Sequence, residues 1–148
     1  MEDWKKEYDN IKVPEEMREK LEQSINRAKK EKKRMKIFAI GDLHLALDPR
    51  LEKPMDIFGE GWIGHTERLY QNWNETVGKD DVVILCGDIS WALKPDEALA
   101  DLAWIHALPG RKLFFKGNHD LWWTSVNKLN RLYEDGTMRF LQCDAQIL

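Results

Sequence analysis

Three apolar runs of strand length, each broken by a glycine and followed at once by residues that can bind a cation or carry a proton, constrain this chain more than any other feature. They are Met35 to Ile40 before Gly41-Asp42-Leu43-His44, Asp81 to Cys86 before Gly87-Asp88, and Lys112 to Lys116 before Gly117-Asn118-His119-Asp120. The runs are rich in Val, Ile, Leu and Phe, as strands are. Continuous apolar character without alternation predicts strands covered on both faces. Polar groups at a strand's mouth are where open α/β sheets hold their ligands.

Helical patterns lie between the runs. Thr66 to Val77 would turn Leu69, Trp73 and Val77 inward at four-residue spacing. Pro95-Asp96-Glu97 starts a second helix, with Leu99, Leu102, Ala103 and His106 on one face, and Pro109-Gly110 ends it. A third helix is expected over Trp123 to Tyr133 and a last strand over Met138 to Cys143. Strand, helix, strand, helix, strand is the rhythm of a βαβ-type parallel sheet.

The organisation changes at residue 35. Before it, Val13-Pro14-Glu15-Glu16 starts a charged helix whose Met17, Leu21, Ile25 and Ala28 form a narrow apolar stripe. Its end, Lys29 to Arg34, reads as a solvated helix terminus with cations at the negative end of the dipole. Two units follow: a helical extension, 1–34, and an α/β unit, 35–148.

The three motifs offer a coherent chemistry. Asp42 and His44, two apart, can give one oxygen and one nitrogen to the same ion. Asp88 can bridge it to a second ion about 3.5 to 4 Å away, the spacing that two-metal hydrolases use. Asn118 would add a neutral oxygen to the second ion. His119 would face the substrate as a proton donor, with Asp120 beside it to orient the ring. Taken singly, D-x-H or G-D is ordinary turn sequence. All three in order after three strands are not.

On those residues the chain resembles the calcineurin-like metallophosphoesterase family, whose pattern is D-x-H, G-D, G-N-H-D/E, a later His and a final G-H-x-H. The stretch from Gly87 to Trp123, with Ser90-Trp91-Ala92 and Leu121-Trp122-Trp123, is similar to a small bacterial branch of predicted phosphohydrolases. The resemblance implies a layered metallophosphoesterase sandwich and metal-dependent hydrolysis of a phosphate mono- or diester. Asp42, His44 and Asp88 would hold one metal, Asp88 and Asn118 the other, with His119 as general acid assisted by Asp120. Mixed carboxylate, imidazole and amide donors suit two divalent transition-metal ions, Mn²⁺ first, then Fe or Zn²⁺.

Two departures qualify that picture. The Asp-Arg pair of the phosphoprotein phosphatases is replaced by Trp91 and Ala92, which argues against a protein phosphatase. The chain ends at Leu148, before the later His and G-H-x-H. It therefore reads as the first half of the sandwich, with one sheet face left for a second chain or another copy to cover. The alternative function is a catalytically silent half-module that self-associates or serves a partner.

The remaining sequence narrows the setting. A formal charge of -3 argues against nucleic-acid binding, and no apolar run approaches a membrane span. The expected substrate is a small phosphoester or nucleotide, and the expected location is the cytoplasm. Cys86 and Cys143 read as reduced core residues. His65, at a helix entrance, and His106 read as structural neighbours rather than ligands. Trp91 is expected to be structural, while Trp122 is weighed equally between core and pocket. No G-x-G-x-x-G or P-loop follows any strand, which excludes the common nucleotide-binding loops.

Overall fold

The computed structural model describes residues 14–31, 35–53 and 55–147, the side chains of 26–31 excepted. The chain divides into two compact units at Arg34 and Met35. In the first, helix α1 (Glu15–Glu31) opens with Glu15 and Glu16 in its first turn and carries a Glu16–Lys20 ion pair of 2.8 Å. Met17, Leu21 and Ile25 of its apolar stripe are exposed. The place of Ala28 in that stripe, and the cationic run from Lys29 to Arg34, fall outside the described side chains.

The second unit is an α/β structure built on four parallel strands in the order β1-β2-β3-β4. These are β1 (Ile37–Ile40), β2 (Val82–Leu85), β3 (Arg111–Phe115) and β4 (Met138–Leu141), connected by helices α2 (His65–Thr76), α3 (Leu99–Ala107) and α4 (Val126–Asn130). Two short 3₁₀ turns, Met55–Phe58 and Glu60–Trp62, lie in the long connection after β1. The core lies on one sheet face, where Val83, Leu85, Phe114, Met138 and Phe140 meet Trp73, Leu102, Ile105, Leu129, Trp122 and Trp123. Phe114 and Phe140 stack at 4.5 Å across the β3–β4 pair.

The opposite face departs from the expectation of full coverage. Val82, Leu113 and Leu141 are buried there, but Ile37 is 52% and Phe115 39% exposed. Among the described residues β1 pairs with β2 alone, but Phe115 lies on the interior strand β3, so the exposure belongs to this face of the sheet and not to its edge.

Helix faces and ends also shift. Trp73 and Val77 are buried as expected, and the Trp73 indole donates to the carbonyl of Pro109 at 3.0 Å. In α3 the inward residues are Asp101, Leu102 and Ile105, whereas Leu99 is exposed, so the expected face is rotated. The turns from Pro95 precede the helix proper, which moves its start to Leu99. The helix expected from Trp123 to Tyr133 contracts to α4, because Trp123 belongs to the turn that closes on the Asp120 carbonyl and Ser125 caps the helix after it. Its last residue, Asn130, pairs through both amide atoms with the Phe140 backbone, fixing α4 to β4. Cys86 and Cys143 are free and exposed rather than buried, since both lie just past the strand ends where the backbone turns. Among the described residues no helix is long and apolar enough to cross a membrane.

One cation is buried in this unit. Lys112 is 1% exposed and donates to the carbonyls of His106 and Leu108 at the end of α3. Burial pushes its ammonium down to about 8, against an ordinary value of 10.5. Between those values the unfolded chain holds a proton that the folded chain has released, so stability attributable to this residue rises with pH. Urea unfolding is therefore expected to show wild type gaining on Lys112→Met from about pH 8 to 10.5, with a constant difference below pH 8.

Candidate metal centre

The motifs converge because the pairing of β1 with β2 does not stop at the strand ends. Asp42 N–H donates to Gly87 O, His44 N–H to Asp88 O, and Leu45 N–H to Ile89 O, at 2.9 to 3.1 Å. Trp91 N–H then returns to Leu45 O at 2.9 Å. Within this zipped segment Asp42, His44 and Asp88 all adopt left-handed backbone, with φ of 56°, 44° and 53°. Such a conformation costs a non-glycine residue about 1 kcal/mol or more and persists where the surroundings over-determine it.

The third loop is brought in by close backbone approach. A Cβ on Gly87 would lie 2.5 Å from the Gly117 Cα, and one on Gly117 would collide with Asp88. Only glycines let these loops touch. Across that contact His119 N–H donates to Asp88 Oδ1 at 2.9 Å.

Asp42, His44 and Asp88 thereby each present a ligand atom, all within 4.8 Å of one another. The Asp42 carboxylate is exposed, whereas the His44 ring is 11% exposed and its Nε2 stands 3.6 Å from Asp42 Oδ1, beyond hydrogen-bond reach. His44 Nδ1 is buried without a hydrogen-bond partner. Two oxygens and an imidazole nitrogen, converging but unbonded to each other, fit a divalent cation of borderline hardness. Asn118 is exposed, and among the described residues no side chain engages its amide, so its oxygen is free to ligate. His119 is also exposed, its ring centroid 5.8 Å from that of His44.

Asp120 has a different place from the one its position beside His119 suggests. It is fully buried, and its carboxylate accepts five N–H groups. Oδ2 takes Gly117 and Asp88; Oδ1 takes Ile89, Ser90 and the Trp122 indole, at 2.8 to 3.3 Å overall. It holds the backbone of two motif loops rather than the imidazole. Trp122 is consequently a core residue, 1% exposed.

Sequence reasoning missed a second buried acid. Asp101, on α3, accepts from Leu47 N–H at 2.8 Å and from Ser90 Oγ at 2.5 Å, tying the loops after β1 and β2 to the helix. Burial lifts its carboxyl above the usual range. The signal was an acid flanked by apolar residues in Leu99-Ala100-Asp101-Leu102-Ala103.

Aromatic rings wall the cluster. Trp91 stacks on His44 at 4.6 Å and lies 5.3 Å from His119. Trp62 packs against His44 and His65. His65 Nε2 lies 3.2 Å from the Leu43 carbonyl, supporting the first loop from α2. His106 pairs instead with Asp135 at 2.7 Å, outside this group.

Known proteins bear on this arrangement. The family model described as calcineurin-like phosphoesterase matches residues 35–145. The Gene 66 protein of Mycobacterium phage D29 is 40% identical over 77 residues, covering 49% of this chain and 38% of its own length. Gene 66 protein of Mycobacterium phage L5 is 45% identical over 56 residues, 38% of this chain and 27% of its own. The chain thus spans well under half the length of these curated relatives. A solved structure, the protein of unknown function AQ665 from Aquifex aeolicus, aligns with a TM-score of 0.45 at 20% identity, over 72% of this chain and 52% of that one.

Asp120→Asn should destabilise the fold by about 3 kcal/mol or more, because an amide sets its own N–H groups against buried backbone donors. His119→Ala, at an exposed position, should stay within about 0.5 kcal/mol of wild type. Urea unfolding of the two variants side by side checks both; similar stabilities would remove Asp120 from its structural role.

Proposed function

The chain belongs to the calcineurin-like phosphoesterase family, and we propose on that footing that its three-loop site hydrolyses a phosphate mono- or diester with the help of divalent metal ions. The observation that carries this reading is the convergence of Asp42, His44 and Asp88 on one point, with His119 anchored to Asp88 beside them. Asp42, His44 and Asp88 would hold one ion. Asp88 and Asn118 would hold the other. Mn²⁺ is the ion we favour for this donor set, ahead of Fe or Zn²⁺. Bound there, the ions would supply positive charge that polarises the phosphoryl oxygens and offsets the charge gathering on them.

The chain's own residues do the rest. The exposed imidazole of His119 carries a proton to the departing ester oxygen, the step that turns a poor leaving group into a neutral alcohol. Its backbone N–H, bonded to Asp88, keeps the ring at a fixed offset from the ligand cluster. Asp120 is a positioning residue: through the amides of Gly117, Asp88 and Ile89 it sets the loops that present both Asp88 and His119. Trp91 and Trp62 cover the His44 ring and shed water from that side of the cluster. Two free thiols at the surface suit a reducing compartment, and we place the reaction in the cytoplasm.

A second reading has an observation of its own. The exposure of Ile37 and Phe115 on the sheet face away from the core favours activity that needs a second copy or a partner chain against that face.

Hydrolysis of a phosphomonoester and a phosphodiester with alkyl leaving groups in Mn²⁺, with metal content measured by elemental analysis, tests the proposal. His119→Ala is expected to lower turnover by about 10²- to 10⁴-fold while retaining metal, and Asp88→Asn to lose both. Equal loss of metal and turnover in His119→Ala would refute the acid role. Specific activity that rises with protein concentration would favour the second reading.

A further inference from the structure

The long connection between β1 and α2 forms a fixed wall beside the ligand cluster. Arg50 bridges Asp48 at 2.7 Å and Asp96 at 2.9 Å, closing the start of the loop on itself and on the segment that leads into α3. Met55 is buried, and its sulfur accepts the Trp91 indole N–H at 3.0 Å, which ties the Met55–Phe58 turn to the residue stacked on His44. Arg68 of α2 donates to the carbonyls of Gly61 and Ile63, holding the second turn.

Held at these points, the loop still presents two large apolar side chains to solvent: Ile57 is 75% and Phe58 61% exposed. With Glu52, Lys53 and Trp91 they line a cavity of about 220 Å³. The Lys53 ammonium lies 5.4 Å over the Trp91 ring, at the border between this cavity and a second, of about 250 Å³, that reaches His44 and His65. Trp91 is shared with the proposed reaction centre, its ring 5.3 Å from that of His119.

A bare phosphate would use none of this. The cavity is below the 300 to 1,000 Å³ typical of drug-sized ligands, which suits about one ring. Its apolar walls favour a flat hydrocarbon-like surface; of its two charged residues, Glu52 and Lys53, Lys53 also lines the cavity that reaches His44, and its ammonium complements a phosphoryl anion. We infer that the cavity formed by Lys53, Ile57, Phe58 and Trp91 is the substrate-selecting subsite for a single aromatic ring carried by a phosphoester, with Lys53 contacting the anionic group that joins ring and reaction centre. The inference rests on the hydrolytic reading for the identity of the anion, and on the cavity alone for the ring.

Non-hydrolysable ligands separate the two. Binding of phenylphosphonate and of methylphosphonate to the full chain, with and without Mn²⁺, is followed by calorimetry. The phenyl ligand is expected to bind about tenfold or more tighter, the order expected when a ring leaves water for an apolar wall. That preference should collapse toward unity in Phe58→Ala, whereas Lys53→Ala should weaken both ligands alike, because the phosphonate it contacts is common to them; Phe58, being exposed, is expected to tolerate the change without loss of fold. Equal affinities in wild type, no binding of either ligand at millimolar concentration, a preference untouched by Phe58→Ala, or unchanged affinity for both ligands in Lys53→Ala would overturn the subsite. A phenyl preference in a chain that hydrolyses no phosphoester retains the subsite and sinks the hydrolytic reading. Hydrolysis with no phenyl preference does the reverse.

Discussion

The Asp120 carboxylate is the point from which the whole centre is assembled. Turns at the mouths of β2 and β3 would leave the amides of Asp88, Ile89, Ser90 and Gly117 inside the protein without partners, and each such orphan costs about 1 to 3 kcal/mol. One buried carboxylate answers all four and the Trp122 indole as well. The same contacts force Gly87 and Gly117 together, which puts the His119 amide against Asp88. Asp101 repeats the device one layer out, joining Leu47 and Ser90 to α3. The acids of this site therefore divide by burial: Asp101 and Asp120 are buried and hold the loops from within, while Asp42 is exposed and the part-buried Asp88 gives one oxygen to the His119 amide.

That division explains what could be read from the sequence and what could not. The three strands and their order follow from runs such as Val82-Val83-Ile84-Leu85, where apolar character is nearly unbroken and a glycine ends the run. Asp42, His44 and Asp88 were legible because spacing after a strand fixes which backbone positions reach its mouth, and the structure gathers them. The direction of Asp120 was not, since it is set by donors roughly thirty positions earlier, at Asp88, Ile89 and Ser90, rather than by its neighbour His119. The same limit applies to Trp122. Its indole follows Asp120 into the core, whereas Trp91, expected to be structural, both supports His44 and walls a cavity.

The misplaced faces have a related cause. Periodicity assigned Leu99 to the inward side of α3, yet the buried Asp101 takes that side because its carboxylate has partners there, and an apolar residue is displaced to solvent. For Cys86 and Cys143, an apolar setting in sequence suggested burial. Both sit one or two positions beyond a strand, where the chain turns out of the core, and Cys143 takes a positive φ of 52°.

Strain and support are distributed unequally around the centre, and this has a consequence for how such a site can change. Asp42, His44 and Asp88 hold left-handed backbone only because a ladder of amides and two buried carboxylates over-determine them. A substitution among those supports disturbs every ligand position at once. The Met55–Phe58 turn, in contrast, is fastened through the Trp91–Met55 contact and by arginines at its flanks, with Ile57 and Phe58 free of the core. Side chains there can be exchanged with little effect on the ligand cluster. The frame around Asp42, His44 and Asp88 is thus rigid, whereas the Met55–Phe58 turn joins it through the Trp91 indole.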